Sequence, residues 1–207
     1  MLTDISGGYL IVTLVTIIVS LSIHEAMHGF AAHWLGDDTA QLEGRLTLNP
    51  LKHIDTLTTV LLPMVLIALH LPPLLAAKPV PFDPRRLKYD EFGMAIVGLA
   101  GPLTNLALAV IGAIIYRVFG LPGAFDQCLV IFVEINIWFF VFNMIPIPPL
   151  DGSRLLYALA PEPLQDVMRQ IEAFGFLAIL FFFFFVFQFV AGPLSNLVVS
   201  IFNFLML

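Results

Sequence analysis

The sequence has little charge. Only 12% of its 207 residues are charged and 59% are hydrophobic, whereas a soluble domain has about 25% charged residues. Because so few polar side chains cannot cover a soluble core of this size, we expect a polytopic membrane protein in contact with the lipid bilayer. The net charge of −6 says little about the partners of such a protein, and nothing in the sequence suggests a nucleic-acid partner.

The sequence also has only one cysteine, and its first apolar run lacks a basic leader. The single cysteine, Cys128, excludes an intrachain disulfide and leaves the redox compartment open. The first apolar run, residues 9–21, contains no charged side chain and continues into two histidines, so we expect a retained span and not a signal peptide. No low-complexity linker or soluble domain interrupts the chain, which predicts one integral membrane domain over residues 1–207.

The apolar stretches are long enough to cross a membrane. Three of them predict spans at residues 7–35, 92–119 and 127–141. Residues 174–207 are too long for one untilted crossing, and Gly192-Pro193 predicts a division into a full span and a shorter one. Residues 191–197 repeat residues 100–106 almost letter for letter, which we interpret as the coincidence of two helix restarts. The predicted fold class is an all-α polytopic membrane protein with a three-span core over about residues 7–160 and one or two extra C-terminal spans.

Two shorter segments depart from the helical pattern. From Thr39 to Leu48, leucines alternate with polar residues, which predicts a short strand. Residues 58–77 are apolar but contain three prolines, which favours a re-entrant or hairpin segment. Residues 78–82 carry two prolines, and the residue before a proline avoids the helical region, so this segment should be extended.

The motif His24-Glu25-Ala26-Met27-His28 ends the first span. Residues four apart lie on one helix face, so the two imidazoles can reach one ion, and imidazole nitrogen is a preferred zinc donor. Glu25 lies where it could take a proton from a water held by that ion, which is why this spacing is a metalloprotease signature. The alternative is a polar cap where the span meets water, but three ionisable groups in a span usually face a metal, a partner or a cavity.

A third ligand must come from later in the chain. Asp151 is the strongest candidate, because it follows the third span after three prolines and precedes Gly152, and non-helical backbone at that depth lines a cavity. Asp126 and Glu134 are weaker candidates, at the entrance and in the middle of that span. The alternative for Asp151 is an ordinary Asp-Gly turn.

The sequence alone does not assign a role to two further polar residues. Asn105 lies in the second span and needs a hydrogen-bond partner inside the bundle, so it could be structural or part of a site. His53 stands alone in a polar turn, where a surface or capping role is more frequent than metal binding.

Together these motifs resemble those of the site-2 protease family of intramembrane zinc metalloproteases. The resemblance rests on His24-Glu25-x-x-His28, on Gly101-Pro102-x-x-Asn105 and on Asn143-x-x-Pro146-x-x-x-Leu150-Asp151-Gly152. The stretch from Gly36-Asp37 to Asn49-Pro50 resembles the compact prokaryotic branch, which has no PDZ-like or CBS-like domain.

The resemblance implies one zinc ion per chain with His24, His28 and Asp151 as ligands, Glu25 as catalytic base, and Asn143 as a substrate-binding or carbonyl-polarising residue. It implies hydrolysis of peptide bonds within or near transmembrane segments of membrane protein substrates, as in regulated intramembrane proteolysis. A metal transporter is one alternative, although it would not require Glu25 at that place. An inactive scaffold of the same fold is another, but it would be expected to have lost a ligand or the base.

The basic residues predict an orientation. The candidate ligands lie toward the C-terminal ends of their spans, so these spans must run parallel to meet at one ion. If residues 58–77 do not cross, eight basic residues share the side of the ligands and Arg117 lies opposite. The positive-inside rule then predicts a multi-pass protein of the cell membrane with an external N-terminus and a site toward the cytoplasm.

Overall fold

The computed structural model describes residues 7–53, 78–120 and 123–207. It confirms an all-α membrane architecture: the described residues contain helices and no strand. The helices are α1 (Gly7–Trp34), α2 (Thr39–Leu42), α3 (Asp90–Phe119), α4 (Ala124–Asn143), α5 (Gly152–Leu159), α6 (Glu162–Ala173), α7 (Phe176–Phe181) and α8 (Phe187–Met206). Single 3₁₀ turns lie at Pro50–Lys52 and Pro84–Arg86, and a π-helical turn at Phe182–Val186 joins α7 to α8.

Four helical stretches in the described residues are long and apolar enough to cross a membrane. They are Gly7–Trp34, Asp90–Phe119, Ala124–Asn143 and Leu177–Met206. The three predicted spans of the core therefore correspond to α1, α3 and α4, with boundaries within a few residues of those expected from the sequence.

The three core helices alternate in direction. The Lys88 N–H donates to the Leu35 carbonyl at 2.9 Å, so α3 begins where α1 ends and runs antiparallel to it. The first half of α1 faces the first half of α4 across a shared apolar cavity lined by Val12, Val15 and Cys128, among others. Helices α1 and α4 are therefore parallel, and their C-terminal ends meet at one end of the bundle.

Small residues bring α3 close to its neighbours. A side chain added at Gly112 would place its Cβ 2.9 Å from Val133 Cγ2 on α4. Around this contact lies the main buried cluster, to which α8 contributes Val198 and Met206. Close packing of this kind is how membrane helices associate, because lipid and protein interior are similarly apolar.

The strand predicted from Thr39 to Leu48 is wrong. Thr39–Leu42 forms one helical turn, and a left-handed Gly44 follows it. The cause is Asp37, which is fully buried and accepts hydrogen bonds from the Thr39 backbone N–H and hydroxyl. A carboxylate that accepts the backbone N–H two residues later closes an Asx turn. Here that turn leads directly into the helical residues, whatever the alternation of the residues that follow.

The segment at residues 78–83 has no helix or strand, in keeping with its prolines. The re-entrant segment predicted at 58–77 lies outside the described residues. On either side of it, the Lys78 N–H donates to the His53 carbonyl at 2.8 Å, so these two residues lie at the same end of the bundle.

The predicted division at Gly192-Pro193 is wrong. Helix α8 continues through Pro193, and residues 177–206 form one candidate span. A proline removes one backbone donor, but a membrane helix can absorb this loss through local adjustment of its hydrogen bonds. Pro102 within α3 is accommodated in the same way.

Candidate metal centre

The histidine pair lies on the last third of α1, on the face that packs into the bundle. His24 and His28 are buried, and their Nε2 atoms are 3.0 Å apart. This is the shared face that the four-residue spacing predicted. Glu25 is only half-buried and points to a different side of the helix, toward the segment at 78–82.

Asp151 approaches the pair from the turn after α4. Its Oδ2 atom lies 3.0 Å from His24 Nε2 and 3.3 Å from His28 Nε2. The turn needs a glycine next, because a Cβ at Gly152 would lie 2.5 Å from the Met144 carbonyl carbon and oxygen. Asp151 therefore ends the turn and Gly152 begins α5, so the start of this helix places the carboxylate beside the histidines.

The three donor atoms fit one zinc ion. Tetrahedral zinc with bonds of about 2.0–2.2 Å separates its ligand atoms by about 3.3–3.6 Å. The triangle of His24, His28 and Asp151 has sides of 3.0, 3.0 and 3.3 Å, within a few tenths of an ångström of one face of that tetrahedron. Two imidazoles and one carboxylate leave a fourth position for water or substrate, as in catalytic zinc sites.

A backbone carbonyl fixes the His28 ring. His28 Nδ1 lies 2.7 Å from the Val97 carbonyl oxygen on α3. A carbonyl only accepts, so the proton is on Nδ1 and the Nε2 lone pair points into the triangle.

A relay of amides fixes the His24 ring. Asn136 Nδ2 donates to the Phe132 carbonyl at 2.8 Å, which settles that amide's orientation. Its Oδ1 therefore accepts from Asn105 Nδ2 at 2.9 Å, and Asn105 Oδ1 accepts from His24 Nδ1 at 2.6 Å. The proton of His24 is thus on Nδ1, and Nε2 is again free for a metal.

The relay is sealed from solvent. Asn105, Asn136 and Ser20 are each 0% exposed, and Asn136 Nδ2 also donates to Ser20 Oγ at 3.0 Å. Asn105 therefore has both roles that the sequence left open, because it links three helices and orients a candidate ligand. Asn136 and Ser20 were missed by the sequence reasoning. The spacing of Ser20, His24 and His28, four residues apart on one helix face, is the signal that could have found Ser20.

Gly101 brings the α3 backbone against the donor atoms. An added Cβ would lie 2.4 Å from His28 Nε2 and 2.6 Å from His24 Nε2. No other residue fits at this position without displacing the imidazoles. The Gly-Pro motif of α3 is thus one wall of the centre.

Glu25 is held by the segment at 78–82. Its Oε2 accepts the Val80 N–H at 3.0 Å. The buried guanidinium of Arg45 in turn donates to the Lys78 carbonyl at 2.7 Å. Gly29 allows the segment to approach, because a Cβ there would lie 2.9 Å from Val80 Cγ1. The segment at 78–82 therefore lies beside the candidate centre.

The electrostatics favour an ionised Asp151. Burial alone would raise the pKa of its carboxyl, but a proton carried on Nε2 of His28 or His24, at the point where a metal ion would bind, outweighs burial and holds that pKa well below its usual range. An ionised carboxylate is the form that binds a metal.

The remaining candidates lie elsewhere. Asp126 is in the first turn of α4 and Glu134 is exposed on its middle turns. Neither belongs to the group that could hold a metal in the described part of the chain, which is His24, His28 and Asp151. His53 is also outside it and has the capping role that was one of its two expected roles, as the C-cap of the Pro50–Lys52 turn. Its ring is buried and not at the surface, and its Nε2 donates to the Thr47 carbonyl at 2.7 Å.

Asn143 is the last residue of α4. Its Nδ2 donates to the Phe139 carbonyl at 3.0 Å, and its side-chain oxygen accepts no hydrogen bond from the described residues. Its part in substrate binding stays a prediction.

Three curated relatives align with most of the chain. "Putative zinc metalloprotease YwhC" of Bacillus subtilis is 38% identical over 184 residues, 84% of this chain and 80% of the relative. "Putative zinc metalloprotease Rip2" of Mycolicibacterium smegmatis is 31% identical over 180 residues, 84% of this chain and 66% of the relative. The protein of that name from Mycobacterium tuberculosis H37Rv is 30% identical over 183 residues, again 84% of this chain and 68% of the relative. No family model matches the chain, and no solved structure matches it significantly.

Proposed function

The chain belongs to the site-2 protease family of zinc metalloproteases, and on this premise we propose that it is an intramembrane endopeptidase. Its substrates would be membrane proteins, cleaved within or near their transmembrane segments. The observation that carries the proposal is the donor triangle of His24, His28 and Asp151 between membrane-spanning helices, with the Glu25 carboxylate next to it in the chain.

The residues divide the chemistry among them. Held by His24, His28 and Asp151, a zinc ion would polarise both a water molecule and the scissile carbonyl. Glu25 would accept the proton of the attacking water and then pass it to the leaving amine. Val80 would keep the Glu25 carboxylate in place while it is ionised, because a backbone N–H stabilises a carboxylate.

Water can reach the centre from one end of the bundle. Glu25 is half-buried and the Asp151 side chain is 24% exposed, whereas both histidines are nearly closed off. The opening lies where α1 and α4 end, which is the side on which the basic residues gather. Under the positive-inside rule this is the cytoplasmic side of a cell membrane.

We propose that Asn143 binds the substrate backbone. It ends α4 eight residues before Asp151, and its carboxamide keeps donor and acceptor capacity beyond its one bond to Phe139. A helical substrate must unwind before hydrolysis because its carbonyls are otherwise hydrogen-bonded within the helix. An amide at the C-terminal end of α4 could replace one of the bonds lost in that unwinding.

Glu25→Gln tests the proposal most directly. The variant should bind zinc as the wild type does, while cleavage of a model transmembrane peptide in proteoliposomes should fall by about 10²–10⁴-fold, the usual contribution of a general base. His24→Ala or Asp151→Ala should instead lose zinc, measured by elemental analysis of the purified protein.

Glu134→Gln is the matched control, because it removes an exposed carboxylate from α4 without touching the triangle. It should retain zinc and activity. Substantial turnover by Glu25→Gln would refute the assignment of the base. Full zinc occupancy in Asp151→Ala would remove that residue from the ligands. Zinc flux into the vesicles that survives Glu25→Gln would favour a transporter.

A further inference from the structure

The outward face of α8 carries polar side chains. Gln188, Asn196, Ser200 and Asn203 are all exposed and are separated by eight, four and three residues, so they lie along one face of the helix. Gly192 lies on the same face. The opposite face of α8, which includes Val198, packs into the main buried cluster. We call these five outward residues the amide face.

The side chains of the amide face make no hydrogen bond outside their own helical run to any described residue. Gln188 Nε2 donates to the Phe184 carbonyl and Ser200 Oγ to the Asn196 carbonyl, both within the same helical run. The carboxamides of Asn196 and Asn203 make no hydrogen bond to any residue that the structure describes. Polar groups facing hydrocarbon without a partner are unfavourable, so this face is built to contact something other than lipid.

The repeated sequence shows what such a face does elsewhere in this molecule. Residues 191–197 differ from residues 100–106 only by serine in place of threonine. In α3, Gly101 allows the backbone to touch the α1 histidines, and Asn105 is fully buried between α1 and α4. In α8, no other part of the described chain lies within 4 Å of a Cβ added at Gly192. The glycine and asparagine that contact other helices in α3 thus have no neighbour from another helix among the described residues in α8. Helix α8 continues through this sequence, so the interpretation as a helix restart is wrong.

We propose that the amide face binds the same face of a second copy of this chain, giving a parallel dimer in the membrane. Two copies in one membrane share an orientation, so a two-fold axis along the membrane normal places each residue opposite its own copy. Such an interface must be self-complementary. A carboxamide meets that condition because it donates and accepts, so that two Asn196 side chains form two reciprocal hydrogen bonds.

Two features of α8 agree with a second copy as the occupant. The helix contains no charged residue, so nothing repels its equivalent across the axis. Gly192 and Ser200 are small and allow the two backbones to approach, as at other membrane helix interfaces. None of the residues of the candidate metal centre is on α8, so dimer formation can be measured separately from zinc binding and cleavage.

Disulfide cross-linking of the full chain in proteoliposomes tests the surface. In a Cys128→Ser background, Val199→Cys lies on the amide face, and Leu197→Cys lies at nearly the same depth but about 160° further round the helix. Both native side chains are similarly exposed, at 55% and 49%. Val199→Cys should form a disulfide-linked dimer of two differently tagged copies on mild oxidation, and Leu197→Cys should not.

A second measurement does not depend on cysteine geometry. Energy transfer between donor- and acceptor-labelled copies, followed as lipid is added, should give a dimer that Asn196→Leu weakens about tenfold. Retained zinc binding and cleavage would show that the variant is folded. If Asn196→Leu fails to fold, the comparison of Val199→Cys with Leu197→Cys still tests whether the amide face forms the dimer interface.

Three results would overturn the proposal. They are the absence of dimer at every lipid dilution, equal cross-linking by Val199→Cys and Leu197→Cys, and cross-linking of Val199→Cys in native membranes to a different protein only. The last result would assign the amide face to another membrane helix.

Discussion

At the scale of single residues, the candidate centre is defined as much by what orients the ligands as by the ligands. His24 depends on Asn105, which depends on Asn136, whose orientation is set by a backbone carbonyl in its own helix. Each step fixes which atom donates, so the tautomer of a ring on α1 is determined by hydrogen bonding on α4. Such outer partners commonly change metal affinity by about 10–100-fold.

Asn136→Leu should therefore weaken zinc binding by about 10–100-fold without removing a ligand. The change leaves Asn105 free to rotate and present its NH₂ to His24, which opposes the Nδ1–H tautomer. A competition titration with a zinc chelator on purified protein measures the effect. Ser20→Ala is the milder companion, because the Phe132 carbonyl still orients Asn136 in it. Unchanged zinc affinity in a folded Asn136→Leu protein would show that the relay does not control the ligand.

Gly101→Ala should abolish zinc binding. The added Cβ would lie 2.4 Å from His28 Nε2, closer than any real contact, and backbone of α3 cannot retreat without disturbing Val97 and Asn105. Gly8→Ala is the matched control, since Gly8 is also helical and a Cβ added there meets nothing within 4 Å in the described part of the chain. Elemental analysis of the two purified proteins measures their zinc content and tests this prediction. Stoichiometric zinc in Gly101→Ala would mean that the α3 backbone does not pack against the donor atoms.

At the scale of elements, the long helices and the donor residues could be predicted from the sequence, and the connections could not. The spans follow from apolar length, and the His24–His28 pair from the helical period. Thr39–Leu42 was misassigned because its conformation depends on the buried carboxylate of Asp37, a tertiary contact that no alternation pattern contains. Pro193 was misassigned because a proline ends a helix in water more reliably than in a membrane.

Arg45 lies in a connection between helices and positions the segment that holds Glu25. Arg45→Ala removes the donor that holds the Lys78 carbonyl, and a charge-assisted hydrogen bond of this kind contributes about 1.5–3 kcal/mol. The segment at 78–82 should loosen, so that Val80 no longer orients Glu25. We expect the rate of peptide cleavage to fall at least tenfold while zinc content stays at the wild-type level.

Arg85→Ala is the control for Arg45→Ala. Arg85 is 89% exposed in its side chain and pairs with Asp83 in the same connection, away from Glu25. Its replacement should leave cleavage unchanged. Equal losses in both variants would indicate a general effect of positive charge and not positioning of the base.

At the scale of the whole molecule, the arrangement of helices and the distribution of charge support one orientation. Eight of the nine basic residues lie at the end of the bundle where α1 and α4 finish, because the chain segments that carry them are joined there. The Lys78–His53 and Lys88–Leu35 backbone hydrogen bonds join the segments that carry six of them, and Arg154 and Arg169 lie on the two helices that follow the end of α4. Arg117, in the last turn of α3, lies at the opposite end. The difference of eight to one is large for a chain with so few charges.

Cysteine accessibility in intact cells tests this orientation. In a Cys128→Ser background, cysteines at the exposed positions Gln41 and Arg85 should react only after the membrane is permeabilised, whereas Ala124→Cys, at the start of α4, should react from outside. Cleavage of a reporter peptide by each variant confirms that the protein is folded. Reaction of Gln41→Cys and Arg85→Cys on opposite sides would contradict the helix arrangement itself, because α1 ends where α3 begins. Reaction of both from outside, with Ala124→Cys protected, would keep the arrangement but place the metal centre on the external face, and the proposed cytoplasmic site would then be wrong.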